Sequence, residues 1–201
     1  MTTIGILALQ GDVREHAHAI ERLGASAVGV RRLSELDAVD GLIIPGGEST
    51  TIDKLLRIFE LFDPLKQRLD EGLPVLGTCA GMIMLASDII GAIEGQRSLG
   101  VIPMTVRRNA FGRQVDSSEV ELTWRPDGST MHATFIRAPW VESSADAVEV
   151  LAVDEAHGGQ TVAVRHRNAI ATSFHPEIVA PGATPDDRVH QVLLDLVASR
   201  R

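Results

Sequence analysis

The sequence predicts an α/β protein whose first half is a parallel sheet with covering helices and whose second half adds antiparallel strands. Three observations carry this. Residues 3–9, Thr-Ile-Gly-Ile-Leu-Ala-Leu, form an unbroken apolar run, the pattern of a strand covered on both faces. A helical pattern follows it directly, and the same alternation of strand, turn and helix recurs along the first half of the chain. Beyond Leu99 the pattern changes to short strand-like runs separated by polar turns.

After the first strand, Asp12 and Glu15 have the spacing of a capping box, and Val13 to Leu23 continues as a helix until Gly24 stops it. Ala27 to Val30, Gly41 to Ile44 and Leu73 to Gly77 are further strands, the last two leading into Gly-rich turns and then helices. Ile52, Leu55, Leu56 and Phe59 fall at i, i+3, i+4 and i+7, so the segment after Ser49 is an amphipathic helix packed on the sheet. Strands are then expected at Leu99 to Val106, Val120 to Trp124, Met131 to Ala138, Val148 to Val153, Thr161 to His166 and Ala169 to Phe174. Val189, Val192, Leu193, Leu196 and Val197 mark a final helix, with residues 199–201 fraying. The stretch from Val179 to Asp187 holds Pro181, Gly182 and Pro185 and reads as an exposed loop. Without an internal repeat or a low-complexity linker, one domain over residues 1–201 is expected.

Lys and Arg number 19 against 27 Asp and Glu, a net charge of −8, which disfavours nonspecific attraction to nucleic acid or to an anionic membrane. Small molecules or proteins are the expected partners. The single cysteine cannot form an internal disulfide, Met1-Thr2-Thr3 lacks a basic signal region, and no apolar run approaches a membrane span. A cytoplasmic protein is expected.

Gly77-Thr78-Cys79-Ala80-Gly81 lies where a strand gives way to a helix and has the Gly-x-nucleophile-x-Gly form of a nucleophile elbow. A sharp strand-to-helix turn needs small neighbours on both sides, and its central side chain stands clear of the sheet. Cys79 then sits at a helix N-terminus, where the partial positive charge and free backbone N–H groups activate a thiolate nucleophile. On its own a lone cysteine beside a sheet is more often a small buried hydrophobe, and it is the elbow that favours catalysis. Ser173-Phe174-His175-Pro176-Glu177 supplies an imidazole at a strand end and a carboxylate two residues on. Positions i and i+2 of an extended chain face the same way, and Pro176 biases His175 toward extended backbone. Glu177 can therefore accept from one ring nitrogen while the other faces Cys79, giving a Cys-His-Glu triad. His16 and His18, two apart on a helix, face different directions and are expected to be solvated, so they suggest neither a metal pair nor a second site.

Pro45-Gly46-Gly47-Glu48-Ser49 follows the Gly41 to Ile44 strand, and its paired glycines let backbone N–H groups approach a ligand closely enough to serve an oxyanion. The plainer reading is a turn in which Ser49 or Thr50 caps the next helix. There is no Gly-Lys-Ser/Thr after it, and Gln10-Gly11-Asp12 lacks a dinucleotide fingerprint, so nucleotide binding is unsupported.

Taken together, Gly-Thr-Cys-Ala-Gly, Phe-His-Pro-Glu and Pro-Gly-Gly-Glu-Ser-Thr-Thr resemble the class I (triad) glutamine amidotransferases. Leu7 to Gly11, Val13 to His16, Arg108 to Asp116 and Phe135 to Pro139 are similar to the glutaminase subunits of pyridoxal 5'-phosphate synthases. Two departures are Ser118, where that family has an aromatic residue, and a longer loop from Val179 to Asp187. The resemblance implies a flavodoxin-like α/β domain with helices on both faces of a mixed, mainly parallel sheet. It implies hydrolysis of L-glutamine to glutamate and ammonia through a Cys79 thioester, with Gly47 and Ala80 supplying oxyanion N–H groups. Gly47, Glu48, Ser49, Arg108, Ile136 and Arg137 match the glutamine contacts. The implied partner is a separate synthase subunit that makes pyridoxal 5'-phosphate from ribose 5-phosphate and glyceraldehyde 3-phosphate, the ammonia passing through a tunnel. That subunit would dock near Gln10 and the Gly46-Gly47 loop and activate an otherwise poor glutaminase by a peptide flip. No metal or organic cofactor is called for. The rivals are a glutaminase for another acceptor, such as imidazole glycerol phosphate synthase, and a noncatalytic glutamine-binding regulator.

Overall fold

The computed structural model describes residues 1–110, 118–179 and 182–200. Five parallel strands make the helix-covered half of its sheet: β1 (Thr3–Leu7), β2 (Ser26–Val30), β3 (Gly41–Ile44), β4 (Val75–Thr78) and β12 (Ala169–Thr172), in the order β2-β1-β3-β4-β12. From β12 the sheet continues antiparallel through β11 (Gln160–His166), β10 (Glu149–Asp154), β7 (Ser118–Trp124) and β8 (Ser129–Phe135). A branch of β5 (Ala86–Ile90), β6 (Ile102–Arg107) and β9 (Trp140–Ser144) joins it where β9 pairs with β11. The helices are α1 (Val13–Arg22), α2 (Leu33–Leu36), α3 (Ser49–Ile58), α4 (Phe62–Asp70), α5 (Ala80–Leu85) and α6 (Arg188–Ser199).

The alternation of side chains along each strand divides the core into two layers. Ile4, Ile6, Ile43, Leu76 and Ile170 pack with Ile20 of α1 and Val189 and Leu193 of α6. On the other side Leu42, Ile44, Val75 and Ala171 pack with Ile52 and Leu56 of α3, Leu65 of α4 and Met82 of α5. Each large apolar side chain so buried stabilises the fold by roughly 1.5–3 kcal/mol. Because both faces are covered, these strands have no polar face, which is why they read as continuous apolar runs.

The order of the parallel strands positions the site. β3, β4 and β12 are neighbours, paired Ile44 with Gly77 and Thr78 with Thr172 at their last residues. The segments that follow them, Pro45 to Ser49, Cys79 and Ser173 to Glu177, therefore leave the sheet side by side at its carboxyl edge, where open α/β sheets bind ligands.

Several expectations are corrected. Asp12 makes no side-chain cap to α1, and Glu15 instead bonds the Arg14 guanidinium. The cap of α3 is Glu48, which accepts from Thr51 N at 3.1 Å, rather than Ser49 or Thr50. Phe59 is 54% exposed just past the end of α3, and the inner face of the helix buries Asp53, whose carboxylate binds Arg57 and the Arg97 backbone N–H. Leu55 is only partly buried. β5 and β9 escaped the sequence pattern because Ser87 and Asp88 in one, and Glu142, Ser143 and Ser144 in the other, are exposed and break the apolar alternation. Of the loop from Val179 to Asp187, Val179 and Gly182 to Pro185 are exposed and residues 180–181 lie outside the described residues. Residues 111–117 of the Arg108 to Asp116 segment also lie outside them. Among the described residues no helix is long and apolar enough to cross a membrane.

Candidate active site

Cys79 occupies the turn from β4 into α5 with φ 50° and ψ −104°, a conformation that costs a non-glycine residue on the order of 1–3 kcal/mol and persists only where the surroundings enforce it. They do so here. Cys79 N donates to Thr172 O at 2.8 Å, tying the turn to β12. A side chain at Gly81 would meet Ile44 O at 2.0 Å and one at Gly77 would meet the Gly81 backbone at 2.6 Å, so the flanking glycines let α5 start hard against the sheet. The Cys79 side chain is 8% exposed, with Sγ 4.0 Å from the Ile136 carbonyl.

His175 is held from both sides of its backbone. Its N–H donates to Thr134 O at 3.0 Å, and Phe174 beside it packs edge-on against Phe135 at a centroid distance of 5.8 Å. The imidazole lines the same cleft as Cys79, and its Nδ1 lies 2.7 Å from Glu177 Oε1. Burial drives the imidazole toward its neutral form, but its interactions with Cys79 and Glu177 outweigh it and hold the His175 pKa up at about 10. Burial pushes the Glu177 carboxyl up, against the hydrogen bond and charge of His175. Asp12, free of any capping duty, places Oδ2 3.6 Å from His175 Nδ1. Asp12, His175 and Glu177 each offer a ligand atom within 4.8 Å of the others, but a cation there would have to displace the His175–Glu177 hydrogen bond.

A cleft of about 370 Å³ opens over Cys79. Of the residues expected from the sequence, Gln10, Gly47, Glu48, Ser49, Cys79, Ala80, Arg108, Ile136, Arg137 and His175 line it. Glu177 is buried behind His175, and Gly46 backs the imidazole: a Cβ there would stand 2.4 Å from His175 Cε1. Gly47 adopts φ +142°, open to glycine and strained for any other residue. Next to it Glu48 N donates to Gln10 Oε1 at 2.8 Å, so Gln10 anchors the loop after β3. Arg108 donates to Glu48 Oε1 at 2.6 Å and to Gln96 Oε1 at 2.9 Å. Such a cleft presents a guanidinium, a carboxylate and a nucleophile, the complement of an amino acid with a side-chain amide.

Two residues escaped the sequence reading. Gln96 bridges the site, its Nε2 donating to Ser49 Oγ at 3.1 Å while its Oε1 holds Arg108, and nothing in its turn-rich surroundings signals this. His16, expected to be solvated, is fully buried, whereas His18 is exposed as expected. The signal for His16 was present: His16, Ala19 and Ile20 form the buried stripe of α1, so the histidine sits on the apolar face.

The chain as a whole is similar to known proteins. Residues 6–199 match the model of the SNO glutamine amidotransferase family. The chain is 59% identical over 194 residues to the pyridoxal 5'-phosphate synthase subunit PdxT of Mycobacteroides abscessus, with 96% of each chain covered. It is 57% identical over 199 residues to the protein of that name from Rhodococcus opacus, again with 96% of each covered. A solved crystal structure of a glutamine amidotransferase superposes with a TM-score of 0.87 at 46% identity, covering 97% of this chain and 98% of the other.

Proposed function

The chain belongs to the SNO glutamine amidotransferase family, and from that premise we propose that Cys79, His175 and Glu177 hydrolyse L-glutamine, with residues 1–201 acting as one glutaminase domain. It is the glutaminase subunit of a pyridoxal 5'-phosphate synthase and supplies ammonia to a separate synthase subunit. Relatives carrying that subunit name match nearly their full length at 59% and 57% identity, which favours this acceptor over that of imidazole glycerol phosphate synthase. A cytoplasmic setting accords with the free cysteine.

The chemistry follows from the geometry. Glutamine enters with its α-carboxylate toward Arg108, its ammonium toward Glu48 and its side-chain amide over Cys79. Ile136 and Arg137 line the cleft as well, with Ser49 beside Glu48. The Cys79 thiolate attacks the amide carbon, and the oxygen gathers negative charge that the backbone N–H groups of Gly47 and Ala80 stabilise. Imidazolium is the form of His175 at neutral pH, given its pKa of about 10. It protonates the departing nitrogen as the C–N bond breaks, leaving a glutamyl thioester and ammonia. Neutral His175 then takes a proton from water, the hydroxide adds to the thioester, and Sγ leaves with glutamate released. Glu177 holds the ring and stabilises its charge throughout.

One observation carries this reading: a strained Cys79 that shares a cleft with an imidazole, itself 2.7 Å from a buried carboxylate. The noncatalytic alternative has no use for it. Incubation with an electrophilic glutamine analogue, followed by peptide mass spectrometry, should place one covalent adduct on Cys79, and free glutamine should protect against it. An unmodified Cys79 under saturating analogue in the presence of the synthase subunit would contradict the thioester mechanism.

A further inference from the structure

Behind the proposed triad lies a buried polar group that the mechanism above does not use. His16 from α1 and His190 from α6 are each 0% exposed, and His16 Nδ1 is 2.9 Å from His190 Nε2. On its other side His16 Nε2 lies 3.2 Å from Thr78 Oγ1 and 3.5 Å from Glu177 Oε2. Thr78 is the residue before the nucleophile, and Glu177 Oε2 is the oxygen that His175 leaves over. Burying four polar side chains where apolar ones would pack is costly unless they are paired, so this cluster calls for a reason.

Burial holds both imidazoles toward the neutral form, His190 down to about 4 and His16 well below its ordinary value. A neutral imidazole has one N–H, and the 2.9 Å contact can be shared in two ways. If His16 donates from Nδ1, then His190 accepts on Nε2 and carries its own proton on Nδ1. That atom is buried and, among the described residues, has no hydrogen-bond partner. An orphaned buried N–H is rare and expensive. The arrangement would also turn a lone pair of His16 toward the Glu177 carboxylate. If instead His190 donates from Nε2, its partnerless Nδ1 is only a lone pair, and His16 must carry its proton on Nε2. That proton lies between Thr78 Oγ1 and Glu177 Oε2. Both considerations select the second arrangement.

We infer that His16 is a positioning residue for the triad, its Nε2–H steadying the second oxygen of Glu177 while His190 fixes the tautomer from behind. The inference rests on the triad reading above. Glu177 Oε2 is buried with no hydrogen-bond partner among the described residues, and His16 Nε2 stands 3.5 Å from it, so His16 is the group placed to keep the carboxylate from rotating away from His175. Loss of the contact is felt in the chemical step rather than in glutamine binding, because His16 does not line the cleft.

The test is glutamine hydrolysis by the complex with the synthase subunit, comparing wild type, His16→Asn and His16→Gln. Asn reaches only as far as Nδ1, whereas Gln carries an N–H at the reach of Nε2. His16→Asn should lower kcat by roughly tenfold or more, the scale of a lost hydrogen bond to a charged group, with KM within about twofold. His16→Gln should recover most of that loss. Equal losses in Asn and Gln, a loss confined to KM, or a folded His16→Asn with wild-type kcat would each overturn the inference. A wild-type complex that hydrolyses no glutamine would instead remove the triad reading on which the inference stands. The wild-type tautomer can be read independently of any variant's folding: nitrogen chemical shifts of ¹⁵N-labelled histidine should report His16 protonated on Nε2, and protonation on Nδ1 would overturn the inference.

Discussion

At the scale of single residues, the site depends on side chains that cannot be exchanged and glycines that cannot be filled. Cys79→Ala removes the sulfur and little volume from a backbone that Thr172 O and the flanking glycines hold. It should leave the melting temperature within a few degrees of wild type and glutamate release at background. Glu177 acts through His175, so Glu177→Gln should retain a measurable fraction of kcat where His175→Ala retains none. A fully active Glu177→Gln protein would reduce the triad to a dyad. Gly46 gives a sharper case, because a Cβ there would stand 2.4 Å from His175 Cε1. Displacement of a catalytic group by about 1 Å costs on the order of a hundredfold in rate, so Gly46→Ala should fold and lose activity on that scale. Glutamate release under saturating glutamine, measured beside a melting curve, checks this.

The residues of the site were legible to different degrees, for physical reasons. Cys79, His175 and Glu177 were legible because an elbow and an extended His-Pro-Glu fix geometry through the backbone alone. Glu48 and Arg108 needed a family resemblance, since a charged residue on a loop has no local signature. Gln96 was invisible because its role is set by a contact between segments 47 residues apart. His16 was misread as solvated because its polarity was weighed above its place on the buried stripe of α1.

At the scale of elements, the parallel strands were plain in the sequence because burial leaves polar residues only at their ends. β9, with three of its five residues polar and exposed, was not. The elements also explain a dependence on pH. α1 and α6 meet through His16 and His190, buried and neutral, with the His190 pKa held down at about 4 by burial first, and by Arg22 against the opposing pull of Asp187. An unfolded chain takes up these protons near the ordinary value of 6.5, so acidification favours unfolding. The stability present above pH 6.5 should fall as pH drops toward 4, by on the order of 3 kcal/mol for His190 alone. His175 has the opposite sign. Its stabilising share is whole below 6.5 and is lost as pH rises through about 10. Denaturant unfolding between pH 7 and pH 4.5 should show the acid loss, and His190→Gln should flatten it. Parallel curves for the two proteins would show that the histidine pair is not its source.

At the scale of the whole molecule, one sheet edge collects what the chemistry needs. β3, β4 and β12 deliver the proposed oxyanion loop, nucleophile and base as neighbours, and β1 brings Gln10 and Asp12 up beside them. Gln10 is the link most exposed to a partner's influence. It is partly buried and holds the Glu48 N–H at 2.8 Å, next to the Gly46-Gly47 peptide whose orientation, on the proposed mechanism, decides whether an N–H faces the oxyanion. A subunit that engages Gln10 can therefore alter the loop without touching the triad. The isolated chain is accordingly expected to hydrolyse glutamine slowly, and Gln10→Ala to blunt activation while complex formation persists. The measurement that tests the account most directly is glutamate release from glutamine by wild type and by Cys79→Ala, each alone and each with the synthase subunit. Wild type with its partner should turn over and run well above wild type alone, and Cys79→Ala should stay at background in both states. Turnover by a folded Cys79→Ala protein, or none by wild type with its partner, would contradict it.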